Sequence, residues 1–210
     1  MNPLMLWDAE MNDALEGAKD EGLINLEKEW YNLPVSDQEQ LSELPDIMQS
    51  LYTYANGVEI RWRSIQDSSQ GGRLQFLELE HVFKDGLGQL YDTEDLLEEE
   101  LIEFFKPFDL VTDEAECGFL HRPGFASESI YYHRTGTPQL YNLDIDFSGY
   151  LEMALAARVY YYWPKVLLDI QSGTKGAETV NFKQNMPLIF PEFNWEAFKE
   201  KYQSLRLSVK

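Results

Sequence analysis

Val58-Glu59-Ile60-Arg61-Trp62-Arg63 is the stretch that decides the fold, because its apolar and charged side chains alternate with a period of two. This alternation predicts a half-buried strand with one polar face. Asn56-Gly57 ends a predicted helix just before it, since either residue can adopt the left-handed conformation of a helix end. Asp67 to Gly72 predicts a turn. The chain then forms an antiparallel hairpin with a return strand carried by Leu74, Phe76 and Leu79.

Upstream of this hairpin, the first 55 residues are predicted to be helical. Ser36-Asp37-Gln38-Glu39 has the spacing of a capping box, with Ser at the N-cap and Glu three residues later. Leu44-Pro45-Asp46 begins another helix, because proline is tolerated in the first helical turn. A further helix is indicated by apolar side chains at helical spacing, namely Leu23, Leu26 and Trp30.

Downstream, a predicted helix over Thr93 to Phe105 ends at Lys106-Pro107, because a residue before proline disfavours the helical conformation. The β-like segments that follow are too closely spaced for helical crossovers, so the sheet should be mainly antiparallel. These segments are Phe108 to Val111, Cys117 to Leu120, Ser129 to Arg134 and Gln139 to Leu143.

The C-terminal part is predicted to be mostly helical. Asp146 caps a long helix that runs into Tyr160-Tyr161-Tyr162-Trp163 and is ended or kinked by Pro164. Ser172 to Asn185 is interpreted as a polar connection. A last helix begins at Asn194, where Phe193 and Phe198 have the spacing of a hydrophobic staple. The prediction is therefore one α+β domain over 1–210, with a mainly antiparallel sheet flanked by N-terminal helices and a long C-terminal helix.

The charge balance excludes some partners and favours others. There are 37 Asp and Glu against 17 Lys and Arg, which gives a net charge of −20. Nucleic acid or an anionic membrane would be repelled at long range, so neither is an expected partner. A basic protein would be attracted instead. The alternative that acidity only keeps the protein soluble stays open.

The single cysteine, Cys117, excludes an internal disulfide, as is typical of proteins from a reducing compartment. Met1 to Asp8 lacks a basic region, so no secretory signal is expected. No stretch reaches the roughly 18 apolar residues that a spanning helix needs. The expected location is therefore the cytoplasm, and the expected state is a monomer or a weak dimer.

Motifs for catalysis or cofactor binding are not found in the sequence. His81, His121 and His133 have no metal-ligand spacing, and no phosphate-binding loop or nucleophile elbow occurs. Cys117 and His121 lie four residues apart on one strand, which separates their Cα atoms by roughly 13 Å. We therefore expect no enzyme activity, no catalytic residue, no cofactor and no metal site.

Acidic and aromatic clusters supply the candidate partner-binding residues. Glu98-Glu99-Glu100 with Glu103 is interpreted either as a solvated helix face or as a face that docks a basic partner. Four successive aromatic residues on a helix point in four directions, so some should leave the core and anchor a partner. Core packing is the alternative for them. The expected partner-binding residues lie on exposed faces, with a core position as the alternative for Trp62, and they are Glu98, Glu99, Glu103, Trp62, Tyr161 and Trp163.

In their order along the chain, several segments together resemble the SUKH superfamily, which includes cell-wall synthesis regulators and bacterial toxin-immunity proteins. The match covers roughly residues 20 to 170, and the stretch from 172 to 210 departs from it as a C-terminal extension. The segments that carry the resemblance are Leu44-Pro45, Tyr52 to Gly57, Trp62, Leu74 to Val82, Phe105 to Leu110, Cys117-Gly118-Phe119, Asp146 to Glu152 and Tyr162-Trp163.

The resemblance implies an α+β domain that binds proteins rather than catalyses a reaction. Bacterial relatives are implicated as immunity proteins that neutralise polymorphic toxins, often nucleases, and a fungal relative regulates cell-wall glucan synthesis. A nuclease toxin needs a basic surface, so an acidic inhibitor would complement it. We expect an immunity protein, with a regulatory or scaffold domain as the alternative. A small-molecule-binding or hydrolytic protein is a third hypothesis, which a deep pocket with convergent polar groups would favour.

Overall fold

Seven strands form one antiparallel sheet in which each strand pairs with the next along the chain. The computed structural model describes residues 3–30, 35, 38–83, 102, 104–122 and 125–209. The predicted α+β class and the antiparallel sheet are confirmed, and β1 and β7 lie at the sheet edges. The strands are β1 (Ile24–Trp30), β2 (Val58–Ser64), β3 (Gly71–Phe76), β4 (Phe105–Thr112), β5 (Ala115–Arg122), β6 (Phe125–Arg134) and β7 (Leu140–Asn142).

Two predicted helix starts are confirmed by their hydrogen bonds. The Asp146 carboxylate accepts from the Gly149 amide at 2.7 Å, and the Asn194 side chain accepts from the Ala197 amide at 2.9 Å. In the described residues the helices are α1 (Pro3–Asp20), α2 (Gln38–Ser42), α3 (Asp46–Tyr54), α4 (Leu79–Val82), α5 (Phe147–Ala156), α6 (Trp163–Ser172), α7 (Ala177–Ile189) and α8 (Trp195–Leu205), followed by a 3-10 turn at Leu207–Val209.

The prediction of a helix through Leu23, Leu26 and Trp30 is wrong, because these residues belong to or adjoin strand β1. Leu26 lies opposite Trp62 and Lys28 lies opposite Ile60, so Lys28 occupies an inward position of the strand. Its ammonium binds Asp8 and donates to Asn12 on α1 at 2.6 Å. A charged residue therefore interrupts the alternation that would have marked the strand in the sequence.

Other corrections concern element boundaries. Leu79 begins α4 rather than ending the return strand, and Phe105 begins β4 rather than ending a helix. The rest of that predicted helix, 93–101 and 103, lies outside the described residues, as do Ser36 and Asp37 of the capping box. The supposed polar connection from Ser172 to Asn185 is wrong, since α7 occupies most of it. Its apolar side chains are buried at helical spacing: Phe182, Met186 and Ile189.

The C-terminal helices and the sheet share one hydrophobic core. Phe182 and Phe198 lie in the same buried cluster as the inward side chains of β2 to β6. Their rings are 5.0 Å apart. Tyr202 on α8 donates a hydrogen bond to the Leu143 carbonyl at 3.0 Å. The residues expected to form an extension after 172 therefore contribute to the same core as the strands.

The segment between α5 and α6 leaves the helical conformation, so the helix predicted from Asp146 ends at Ala156 and does not continue to Trp163. Arg158, Val159 and Tyr162 have φ of 50°, 49° and 59°, which is costly for a β-branched residue such as valine. The Arg73 amide donates to the Val159 carbonyl at 2.8 Å. Gly72 also pairs with Tyr160 in an antiparallel bridge. Tertiary contacts with β3 therefore hold this segment in place.

Candidate functional site

The predicted aromatic anchors Trp62 and Trp163 are 1% and 0% exposed, so the expectation that they lie on exposed faces is wrong. The Trp62 indole donates to the Arg158 carbonyl at 2.6 Å, and the Trp163 ring packs 4.9 Å from Tyr150. Trp62 lies on the inward face of β2 and Trp163 is the first residue of α6, and each large ring packs in the core. Tyr161 is half-buried. The predicted acids Glu98, Glu99 and Glu103 lie outside the described residues.

Tyr161 lines a small cavity of about 230 Å³ between the β2–β3 turn and α7. Its backbone amide donates to the Gly71 carbonyl at 2.9 Å. Inside the same cavity, the Tyr160 hydroxyl binds the Gln70 side chain, which also accepts from Asn185 at 3.0 Å. These contacts tie the turn to α7, and they give Tyr161 a packing role along with partial exposure.

A buried polar cluster lies where β4 and β5 meet α5. A register shift between Pro107 and Asp109 places both Phe108 and Asp109 in the core. The Asp109 carboxylate accepts from the Gln75 backbone amide at 2.7 Å and from the Tyr150 hydroxyl at 2.6 Å. Burial raises the pKa of Asp109 to about 6, although these two hydrogen bonds oppose the shift.

Cys117 lies opposite Asp109 in the β4–β5 ladder and is fully buried. Burial holds the pKa of its thiol well above the usual value, and the charge of Asp109 adds to the effect. A thiol in this state is a poor nucleophile, because the thiolate is the reactive form. The chemistry of this cluster is therefore that of a core hydrogen-bond network.

The histidines occupy three different settings. The buried His133 ring lies with Nδ1 2.8 Å from Glu116 Oε1 and Nε2 2.7 Å from the Thr137 carbonyl oxygen, which fixes the β6–β7 turn. The His121 ring lies 5.4 Å from Phe83 and faces the Glu43 carboxylate, and partial burial lowers the pKa of its imidazole. His81 is exposed at the end of α4.

One group of side chains in the described part of the chain has the proximity of metal ligands. The ligand atoms of Glu78, Glu80 and His81 lie within 4.8 Å of one another, at a spacing that the sequence analysis did not consider. Two of the three residues are exposed, and exposed acidic groups commonly approach this closely without an ion. The arrangement alone therefore does not define a metal site.

An acid-rich surface of the described residues is formed by α1 and the edge strand β1, and we name it the acidic edge. Lys19 pairs with Glu16 at 2.6 Å, and the half-buried Lys28 pairs with Asp8. Both lysines of residues 3–30 are therefore already bound to an acid. The acidic edge consists of the exposed residues Glu10, Asp13, Glu16, Asp20, Glu21, Glu27 and Glu29.

Sequence reasoning missed the acidic edge because it weighed the charge of the chain as a whole. The signal was available: residues 3–30 contain eight Asp and Glu against two Lys. The opposite imbalance occurs at the other end. Residues 163–210 contain seven Lys and Arg against five Asp and Glu, whereas residues 1–162 contain ten against 32. The acidity of the chain is therefore concentrated before α6.

In the described part of the chain, the helices are too short or too polar to cross a membrane. Comparisons with protein-family models, with curated proteins and with solved structures found no match for this chain. Membership of the SUKH superfamily thus stays a prediction from the ordered segments quoted above.

Proposed function

We propose that the protein is a protein-binding module without enzymatic activity, and that its acidic edge binds the basic surface of a protein partner. The observation that carries this proposal is the concentration of seven exposed acids on one helix and the strand packed beside it. Glu16 pairs with Lys19, and the negative charge of the other acids attracts an oppositely charged protein at long range and orients it during encounter.

The setting of the perturbed groups also supports binding over catalysis. Asp109, Cys117 and Tyr150 all have raised pKa values, and all three are enclosed in the core. A catalytic acid or base must come within hydrogen-bonding distance of its substrate. These groups instead bond to one another and to the backbone, as a structural network does.

The resemblance to the SUKH superfamily favours one partner class, a polymorphic toxin of the nuclease type, and the protein would then be an immunity protein that neutralises it. A nuclease must hold a phosphate backbone, so its binding surface is basic. An acidic inhibitor competes for that surface with the same charge pattern as the nucleic acid. The alternative, a regulatory or scaffold domain, predicts an envelope or signalling protein as the partner.

The test is affinity capture at low salt with the wild type and two charge-reversed variants. The first variant carries Glu10→Lys, Asp13→Lys, Glu27→Lys and Glu29→Lys on the acidic edge. The second carries the same number of reversals at exposed acids elsewhere: Asp113→Lys, Glu128→Lys, Glu192→Lys and Glu200→Lys. A basic partner retained by the wild type and the second variant, and lost by the first, is the expected result.

With the partner purified, its association rate constant should fall at least about tenfold for the acidic-edge variant and should decrease with added salt. Capture of a nuclease-type toxin supports the immunity role, and capture of an envelope or signalling protein supports the regulatory role. Equal capture by both variants, or no complex with any purified basic toxin domain, would contradict the proposal.

A further inference from the structure

A groove of about 570 Å³ lies between α6, α7 and α8, in the part of the chain where basic residues outnumber acids. This volume is within the range of about 300–1,000 Å³ typical of small-molecule sites. Three lysines line it: Lys175 in the turn after α6, Lys183 on α7 and Lys199 on α8. We name it the lysine groove.

Trp195 sits among these lysines and holds two of them in position. The Lys183 Nζ atom lies 4.9 Å and the Lys199 Nζ atom 5.9 Å from the centroid of its ring. A cation–π contact restrains an ammonium without cancelling its charge. Glu196 pairs with Lys199 at 2.7 Å and neutralises that lysine. The charge of Lys175 and Lys183 is left to act on a ligand.

The floor of the groove is preorganised by Asp169, which is 2% exposed. Its carboxylate accepts from the Gly176 amide at 2.7 Å and from the Thr179 hydroxyl at 2.6 Å. It also accepts from Thr174 at 3.1 Å and from Lys165 at 3.2 Å. Because donors within the protein satisfy the Asp169 carboxylate, this residue fixes the α6–α7 turn. It does not pair with the lysines that line the groove.

The groove also offers apolar surface beside its charges. Val180 is 43% exposed, and Ile170 and Trp195 are partly buried along the same wall. A ligand that fits both features carries an anionic group for the lysines and an organic body for the apolar wall. At least two unneutralised ammoniums suit a phosphate, which lysine binds as a point charge.

We infer that the lysine groove binds a phosphorylated small organic molecule, with Lys175 and Lys183 contacting the phosphate and Trp195 and Val180 contacting the organic part. The remaining surface of this chain argues against a longer anion. An acidic peptide or a nucleic acid would extend beyond the groove onto a protein that carries a net charge of −20. This inference is independent of the acidic edge.

The experiment titrates the full chain with ATP as a phosphorylated probe, in parallel with pyrophosphate and adenosine, without divalent cations that would mask the phosphates. Calorimetry should give an ATP dissociation constant below about 1 mM. Adenosine and pyrophosphate should each bind at least about tenfold more weakly, because adenosine lacks the phosphates and pyrophosphate lacks the organic part. ATP should also change the fluorescence of the wild type but not that of Trp195→Phe.

The matched variants are Lys175→Gln with Lys183→Gln in the groove, and Lys19→Gln with Lys201→Gln outside it. The first pair should weaken ATP binding at least about tenfold, while the second should leave it unchanged; urea unfolding midpoints verify that both fold. The inference is overturned if ATP does not bind below about 1 mM. It is also overturned if both pairs lose affinity equally, or if adenosine binds as tightly as ATP.

Discussion

The sheet region, residues 3–162, and the helical region, residues 163–209, share one core but differ in surface charge. The helical region has a small excess of basic residues, whereas residues 1–162 hold 32 Asp and Glu against ten Lys and Arg. Core packing and surface charge are therefore set independently in this chain. The net charge of −20 agrees with the charge of the acidic edge but gives no indication of the lysine groove.

The two regions also differ in the direction of the pKa shift of a buried aspartate. Asp109 in the sheet region accepts two hydrogen bonds from neutral groups, and burial raises its pKa to about 6. Burial would also raise the pKa of Asp169 in the helical region, but hydrogen bonds from Thr179 and Gly176 and the charge of Lys165 hold it below the usual value. Burial therefore outweighs the hydrogen-bond donors at Asp109, whereas the donors and the Lys165 charge outweigh burial at Asp169.

Breaking the junction between β3 and the segment that precedes α6 should have the largest effect. Gly72→Ala would place its Cβ against Nε1 of the Trp62 ring, 2.6 Å from Cε2 of that ring and 2.6 Å from the Val159 carbonyl oxygen. Because backbone and a buried ring cannot move aside, we expect a loss of about 3 kcal/mol or more in the free energy of unfolding. Urea denaturation followed by fluorescence measures this loss.

Gly17→Ala is the matched control for that change. Nothing lies within 4 Å of a Cβ added at Gly17, which is in the last turn of α1. Alanine there should raise the free energy of unfolding by about 0.5–1 kcal/mol, since glycine is unfavourable inside a helix. Equal effects of the two substitutions would show that the junction is not tightly packed.

Removing the charge of Asp169 should cost about 2–4 kcal/mol at pH 7, because its buried donors would lose their acceptor. The folded pKa of Asp169 is lowered, so its contribution is present above the unfolded pKa of about 3.9 and is lost as the pH falls through the folded value. The difference between wild type and Asp169→Asn, measured by urea unfolding, should therefore shrink below about pH 4. A difference that does not change with pH would contradict this.

Asp109→Asn should show the opposite pH dependence. The folded pKa of about 6 lies above the unfolded value, so the contribution of Asp109 is present at low pH and is lost as the pH rises through about 6. Relative to Asp109→Asn, the wild type should lose about 2 kcal/mol of stability between pH 4 and pH 7. Parallel urea unfolding curves across this range would contradict the assignment.

The smallest expected effects come from one helix cap in each region. Asp146→Ala removes the bond to the Gly149 amide in the sheet region, and Asn194→Ala removes the bond to the Ala197 amide in the helical region. Each should cost about 1 kcal/mol in thermal or urea unfolding. A cost near zero at Asn194 would indicate that the hydrophobic staple between Phe193 and Phe198, whose rings are 5.9 Å apart, holds α8 without its cap.

Both caps and the hairpin of β2 and β3 were predictable because each depends on neighbours in sequence. The acidic edge was partly predictable, because residues 3–30 contain many acids and few lysines. Its strand, β1, was predicted to be a helix. The lysine groove was not predictable. Lys175, Lys183 and Lys199 are separated along the chain, and only the packing of three helices brings them around Trp195.

By itself the sequence determined the α+β class, the antiparallel pairing of β2 to β7 and the acidity of the chain, because alternation, short connections and composition are local properties. Only the tertiary structure decided that Lys28 faces inward and that Val159 and Tyr160 leave the helix to meet β3. It also decided that Asp169, and not Asp109, is stabilised in its charged form. These outcomes depend on donors and surfaces supplied by residues far away in the chain, which no local pattern records.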